Sequence, residues 1–500
     1  KKMTNKLNTN LGFSKNPFSK FSAEEEIEFH NEIFYEPTFY QTLLDDLKSG
    51  TSRFILGQRG HGKSSIIHKL KTDLEKSQIL TIIIDRFDEI SLTDNKIELL
   101  NLILQEFVTK YVFFLDKNKA YLKKLNNEDK DVLCLLIKLF FQPLTTTEYE
   151  SRYDNIKKIK AKSWFINTYN KIVKPANSLI GTGILITSKL VADSLKLTNF
   201  ETNSSYTEFL TEMDEIDISA TSHEQLLKKS KRHLKELLNR LNIISKKTYY
   251  KSSVVLFDKV DEFQDLNQEI NKIASFTEDI LTDTELLLQN DIAIAFSLWS
   301  EVKPILSKKV RFDKFKEIDI SWRKRNMEPL IDKRIMYFSG NTRSFSSLFE
   351  SNSDLKNIIT ISNKSPRDLI SCLSDIYDFQ TSNDNSKCFE SDSVSKGLIK
   401  FAKRYDYLSM YPSRTGKNKD VISMINLILR TRKINLTILD LNSTFNQKTR
   451  WSQVKLEGMV KYKLVEEDAK LGANGEKVYT VLDPKIIHLI KRGITNLENN

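Results

Sequence analysis

The chain alternates short, continuous apolar runs with longer segments in which apolar residues recur every three or four positions. Runs rich in β-branched and aromatic residues predict five strands, at residues 53–57, 79–85, 253–258, 291–297 and 315–320. Continuous apolar runs are typical of a parallel sheet that is covered on both faces. Helical spacing dominates the rest of the chain. The pattern therefore predicts an α/β fold built on a five-stranded parallel sheet.

Turn signals divide the chain around this sheet. In order they predict a helical lead-in, a core, a helical lid, a linker and a C-terminal domain, at residues 1–50, 51–320, 321–380, 381–395 and 396–500. Helix starts are expected at Ser22 and Pro37. The third strand is delayed by a large insertion, residues 91–251, with helical patterns at 97–115, 131–141, 153–173 and 223–244. An insertion of this length must carry its own structure, as a lid, a partner surface or an oligomer contact.

The C-terminal domain has its own pattern. Helices are predicted at 421–429, 437–445 and 449–461, followed by a hairpin that pairs 463–467 with 477–481. Three helices and a two-stranded hairpin predict a winged helix, a variant of the helix-turn-helix.

Charge is concentrated in that domain. The chain carries a net charge of +11, and residues 396–500 hold 20 Lys and Arg against 10 Asp and Glu. Such an excess is typical of a surface for duplex DNA or another polyanion, although a solubilising basic face has the same composition. The candidate contacts lie on or beside the third helix: Lys448, Arg450, Lys455, Lys461 and Lys463.

Composition narrows the setting. Gly and Pro make up only 23 of 500 residues, which disfavours a turn-rich all-β fold. The three cysteines, Cys134, Cys372 and Cys388, have no metal-ligand or disulfide spacing, so a reducing, cytoplasmic location is expected. The most apolar long segment, residues 178–197, is interrupted by charges and glycines, and no membrane role is expected.

Glycines, a lysine and a serine stand between the first strand and the next helix, as Gly57-x-x-x-x-Gly62-Lys63-Ser64. This spacing resembles the Walker A motif of P-loop NTPases, whose backbone amides bind phosphates. Lys63 is expected to reach the β and γ phosphates of ATP, and Ser64 to bind Mg²⁺. The alternative is a plain glycine-rich turn. The candidate nucleotide contacts are Gly57, Gln58, Arg59, Gly60, His61, Gly62, Lys63, Ser64 and Ser65.

Acidic residues follow the third strand. Asp258 ends an apolar run and is expected to hold Mg²⁺ from the carboxyl edge of the sheet. Asp261 or Glu262 then orients or deprotonates the attacking water. Both acids also fit the first turn of a following helix, and the sequence does not choose between these roles.

The run Asp258-Lys259-Val260-Asp261-Glu262 is similar to the acidic motif of STAND-type signalling ATPases and their ORC-like bacterial relatives. Lys259 occupies a position that is acidic in the usual AAA+ pattern. The resemblance extends to residues 319–322, a lid helix ending near Arg334, residues 365–368 and the winged helix. It implies an ATP-dependent switch from a bacterial mobile-element or antiphage-defence setting, paired with a separate effector such as a nuclease.

The same resemblance assigns Arg367 as a γ-phosphate sensor at the start of a lid helix, although it also fits a surface arginine beside Asp368. Where relatives often carry an arginine after the fourth strand, this chain has residues 297–300, Ser-Leu-Trp-Ser. Hydrolysis is therefore expected to be slow, or completed by Arg311 or an arginine of a neighbouring copy in a homo-oligomer. Arg59 is another candidate contact.

Three functions remain open from the sequence. The first is the ATP-controlled switch acting on a protein effector. The second is an ORC-like initiator or loader whose winged helix binds duplex DNA in an ATP-dependent way. The third is a scaffold that binds nucleotide only for stability.

Overall fold

The computed structural model describes most of the chain outside the insertion. The described residues are 6–88, 90–126, six positions between 129 and 140, 231–289, 291–411, 419–471 and 475–497. The helices predicted at 153–173, most of 131–141, the start of 223–244 and the apolar segment 178–197 lie outside the described residues.

The predicted α/β fold with a five-stranded parallel sheet is confirmed. The strands lie in the order β2-β3-β4-β1-β5, and each neighbouring pair is parallel. Gly57 aligns with Trp299 and with Ile320, so these strand ends meet at one edge of the sheet. The strands are β1 (Arg53–Gly57), β2 (Ile79–Ile84), β3 (Ser252–Phe257), β4 (Ile292–Trp299) and β5 (Glu317–Ile320).

Burial explains why these runs form inner strands. Every residue of β3 and β4 is buried. Alternate side chains enter different cores: Val254 and Leu256 pack on one face of the sheet, Val255 and Phe257 on the other. A strand covered on both faces has no polar side, which accounts for the apolar runs Val254–Phe257 and Ile292–Phe296.

The helices cover both faces and continue past the sheet. Those up to the third strand are α1 (Lys6–Leu11), α2 (His30–Ile33), α3 (Tyr40–Lys48), α4 (Lys63–Lys76), α5 (Lys96–Lys117) and α6 (Lys231–Thr248). Those up to the predicted linker are α7 (Ile270–Leu281), α8 (Thr284–Leu287), α9 (Lys303–Leu306), α10 (Lys324–Ser339), α11 (Asn352–Ile361) and α12 (Pro366–Gln380). The remaining ones are α13 (Ser391–Arg404), α14 (Tyr407–Met410), α15 (Lys419–Thr431), α16 (Ile438–Phe445), α17 (Thr449–Lys461) and α18 (Pro484–Lys491).

Three local expectations differ from the structure. No helix begins at Ser22: residues 22–29 form turns, because Glu24 and Glu26 bind cations on other elements and draw this segment onto the core. The predicted linker is packed at its end, since Phe389 is fully buried and α13 begins at Ser391. The lid helix α10 also extends past Arg334 to Ser339.

The C-terminal hairpin is confirmed, with Val465 paired to Val481 in an antiparallel register. Its strands are β7 (Val465–Leu471) and β8 (Lys477–Val481), and the sequence missed a third strand, β6 (Asn435–Leu436), which pairs with β8. Helices α15, α16 and α17 precede the hairpin, as expected for the winged helix, which stays a prediction. Among the described residues, no helix is long and apolar enough to cross a membrane.

Candidate nucleotide site

The glycine-rich loop joins the end of β1 to the start of α4. Gly60 and Gly62 have φ angles of +77° and +84°, a region that glycine tolerates best. A Cβ on Gly60 would also lie 2.5 Å from the Ser365 hydroxyl. The Lys63 ammonium donates a hydrogen bond to the carbonyl of Gly57 at 3.1 Å. It therefore lies over the loop, where we expect the phosphates to bind.

Two loop side chains fasten the loop to neighbouring strands. Gln58 donates to Glu301 at 3.0 Å and accepts a hydrogen bond from the Trp299 indole at 2.9 Å. A ring nitrogen of His61 lies 3.1 Å from the carbonyl of Ile320, and burial lowers the pKa of His61, which favours the neutral ring. These two side chains hold the loop against β4 and β5. We therefore expect the backbone amides of the loop to face a bound phosphate.

Asp258 lies beside the loop, one residue past β3, and is 2% exposed. Its carboxyl group interacts with the Ser64 hydroxyl, while its Oδ1 atom has no hydrogen-bond partner within the described part of the chain. Burial raises the pKa of Asp258, although Ser64 and Lys63 oppose that shift. A buried carboxylate with an unsatisfied oxygen costs free energy unless a cation or donor is supplied. Asp258 and Ser64 therefore fit the oxygen ligands that Mg²⁺ prefers.

The two following acids have different surroundings. Asp261 is 4% exposed and pairs with Arg59, whose Nε lies 3.1 Å from Oδ2. Burial raises the pKa of Asp261, but Lys63 and Arg59 outweigh it and leave that pKa below its usual value. Glu262 is exposed and lines the same pocket. Arg59 thus neutralises Asp261 and leaves Glu262 as the accessible carboxylate.

Arg367 faces the loop from the lid. It is the second residue of α12, whose N-cap Ser365 accepts a hydrogen bond from the backbone of Asp368 at 3.2 Å. The Arg367 amide donates to the carbonyl of Gly60 at 3.3 Å, and its exposed side chain lines the pocket. Position and exposure agree with the predicted contact to phosphate.

The end of β4 supplies no cation. Ser297 is buried there, and the Trp299 ring lies 4.6 Å from the Arg59 guanidinium. Arg311 is exposed, pairs with Asp313 at 2.8 Å and does not line the pocket, so it does not fill this role in the described chain.

The N-terminal segment, residues 21–35, forms a wall of the pocket that the sequence did not reveal. His30 lies 2.8 Å from the Ser65 hydroxyl, and burial lowers the pKa of His30 to about 4. Glu24 pairs with Lys259 at 2.7 Å, and Glu26 with the buried Arg334 of α10. The wall is therefore fastened to α4, to the acidic motif and to the lid.

The wall also supplies the apolar part of the pocket. The wall contributes Phe21, Ile33, Phe34 and Tyr35, and the lid adds Leu330 and Ile370. Such a lining suits a flat base, with the phosphates toward the loop. No motif marks this segment; its only signal is the density of aromatic residues before Tyr40.

The predicted nucleic-acid contacts divide into two groups. Lys448, Arg450 and Lys461 are exposed, and Lys455 lies 5.8 Å from the Trp451 ring. Lys463 instead forms an ion pair with Glu301, at 3.0 Å. The exposed face of α17 also carries Glu457 and an apolar residue, Val454.

Comparison with known proteins found no matching family model and no match among curated proteins. Among solved structures, the chain is similar to the Aeropyrum pernix ORC2 protein in ADPNP-ADP complexes, with 10% identity, a TM-score of 0.39 and coverage of 91% of this chain and 92% of that one. The Aeropyrum pernix ORC1 protein in complex with DNA shares 7% identity at a TM-score of 0.34, with coverage of 93% of this chain and 96% of that one. Drosophila ORC bound to DNA shares 9% identity at a TM-score of 0.30, with coverage of 97% of this chain and 90% of that one. Because these TM-scores lie below 0.5, the functional argument rests on the geometry of the site.

Proposed function

We propose that this chain binds ATP with Mg²⁺ at the Gly57–Ser64 loop, hydrolyses it slowly and uses the nucleotide state to control a separate effector protein. The observation that carries the proposal is the unsatisfied Oδ1 of Asp258, buried beside Ser64 and Lys63. One oxygen of that carboxylate has no hydrogen-bond partner among the described residues and suits a metal. The effector, for example a nuclease in antiphage defence, comes from the sequence resemblance alone.

Each residue has a distinct task in this reaction. Lys63 binds the β and γ phosphates, and Ser64 and Asp258 hold Mg²⁺, which when bound supplies positive charge to the phosphates. Glu262 orients the water and accepts its proton, because it is the exposed acid in the pocket. Arg367 binds the γ phosphate from the lid. Closure of the lid over the nucleotide then changes which partner surface is presented.

Slow turnover follows from the residues around β4. Neither Ser297 nor Trp299 brings a positive charge to the transferred phosphate, and an arginine in such a place is worth a factor of about 10³ to 10⁵ in rate. Within the described residues, the cations that we assign to the phosphates are Lys63 and Arg367. A rate suited to a switch is therefore expected.

The two acids are expected to respond differently to neutralisation. Glu262→Gln should lower kcat by about 10²- to 10⁴-fold, with nucleotide affinity and Tm unchanged, because the side chain is exposed and acts on water. Asp261→Asn should lower the free energy of unfolding by about 3 kcal/mol, because it leaves Arg59 buried without its counter-charge. Steady-state kinetics and urea unfolding of both variants measure these effects. Unchanged turnover in Glu262→Gln would remove that residue from the mechanism.

A second candidate function is the ATP-dependent binding of duplex DNA by the C-terminal domain. It is favoured by the exposure of Lys448, Arg450 and Lys461 on or beside α17. Reversing the charges of Lys448, Arg450 and Lys455 together should weaken duplex binding and flatten its dependence on salt, by a slope of about 0.9 for each lost phosphate contact. Fluorescence anisotropy over a range of salt concentrations measures both. No binding by the unaltered protein at low salt would exclude this function.

A further inference from the structure

The C-terminal region contacts the candidate site directly. The Arg59 guanidinium donates to the carbonyl of Ser409 at 3.2 Å. Lys463, in the turn before β7, pairs with Glu301, which also accepts the hydrogen bond from Gln58. Two consecutive residues of the phosphate loop, Gln58 and Arg59, are thus connected to this region.

Arg59 lies between Asp261 of the acidic motif and Ser409 of the C-terminal region. It is 14% exposed, and it donates to both the side chain and the carbonyl of Asp261, at 3.1 and 2.7 Å. The Trp299 ring covers one face of its guanidinium. The guanidinium of Arg59 therefore binds Asp261 and the C-terminal region, although its planar geometry would also suit a phosphate.

The junction is loosely packed. A cavity of about 320 Å³ lies between the loop and the C-terminal region, lined among others by Gln58, His61, Tyr411 and Tyr462. The cavity is partly open to solvent, so separating the two sides of the junction exposes few groups that water does not already reach. The Lys463 side chain is also 63% exposed, and exposed ion pairs are weak. A strong competitor can displace Glu301 from Lys463.

We propose that Lys463 is shared between the phosphate loop and a polyanion, so that duplex DNA competes with Glu301 for Lys463 and releases the restraint that this pair places on the loop at Gln58. Lys463 is one of the predicted nucleic-acid contacts, and its ammonium cannot be fully engaged with both Glu301 and a DNA phosphate. Release breaks the link that runs from Lys463 through Glu301 to Gln58 of the phosphate loop, so the loop can adjust around a nucleotide. DNA binding and ATP turnover are then coupled through one side chain. This inference rests on the proposed ATPase function.

The test compares the full-length protein with Glu301→Gln, which removes the charge that holds Lys463 but keeps an oxygen to accept from Gln58. The matched control is Glu467→Gln, which removes the same charge from another Lys–Glu pair of the C-terminal domain, Lys477–Glu467 at 2.9 Å. A short duplex DNA at low salt is the probe. Its dissociation constant and the ATP turnover rate are measured for each protein.

Glu301→Gln should bind the duplex about fivefold more tightly than the unaltered protein, because DNA no longer competes with an acid for Lys463. Its turnover without DNA should be about fivefold faster, and DNA should add no further acceleration. The unaltered protein and Glu467→Gln should both be accelerated by DNA.

Equal DNA affinity in Glu301→Gln and Glu467→Gln would overturn the coupling, as would equal acceleration of all three proteins by DNA. No turnover in any protein under any condition would instead remove the ATPase function. The DNA affinities are measured without turnover, so the two failures are distinguishable.

Discussion

Replacing Lys63 by alanine is expected to abolish ATP turnover and to weaken ATP binding by at least about 100-fold. Lys63 is 8% exposed and lies over the loop, with its ammonium 3.1 Å from the carbonyl of Gly57. It is the buried cation beside the phosphate position, and a phosphate contact in a partly dry site is worth several kcal/mol.

The matched control for that variant lies on the same helix. Lys76→Ala removes the last residue of α4, whose side chain is 67% exposed and whose ion pair with Asp73 is peripheral. Isothermal titration with ATP and a phosphate-release assay compare the two. Normal binding by Lys63→Ala would show that the loop is only a structural turn.

Replacing Asp258 by asparagine is expected to stabilise the free protein and at the same time abolish Mg²⁺-dependent turnover. The stabilisation comes from removing a buried charge with an unsatisfied oxygen, and we expect about 1 to 3 kcal/mol. The loss of turnover comes from removing a metal ligand. Opposite effects on stability and activity are typical of residues that serve a site rather than the fold.

The pH dependence gives a second check on Asp258. Because burial raises its pKa in the folded protein, the ionised group destabilises the fold above the unfolded pKa, and this penalty disappears as the pH falls through the folded pKa. The stability difference between Asp258→Asn and the unaltered protein should therefore shrink as the pH is lowered. Urea unfolding at several pH values measures it. A variant less stable than the unaltered protein at neutral pH would show that Asp258 is a structural residue.

Much of the fold could be predicted because its signals are local. Continuous apolar runs such as 254–257 occur where a strand is buried on both faces, and the glycine spacing before Lys63 marks a turn with positive φ angles. The carboxyl edge of a parallel sheet then brings Asp258 to the loop without further information.

The rest of the site depends on contacts between distant residues. The sequence did not decide between Asp261 and Glu262, because the difference between them is the ion pair with Arg59, about 200 residues away. It predicted a helix at Ser22 because residues 22–25 have the composition of a helix N-terminus. The local capping contact does form, since Glu25 accepts a hydrogen bond from the Ser22 amide at 3.2 Å, but no helix follows it. Ion pairs of Glu24 and Glu26 with Lys259 and Arg334 override that local preference.

The most direct test of the account is a titration of the intact protein with ATP, with and without Mg²⁺, followed by calorimetry. We predict saturable binding of one nucleotide per chain that is markedly tighter when Mg²⁺ is present, and that loses this metal dependence in Asp258→Asn. No affinity for any nucleoside triphosphate in the presence of Mg²⁺ would contradict the central claim that the loop and Asp258 form a nucleotide site.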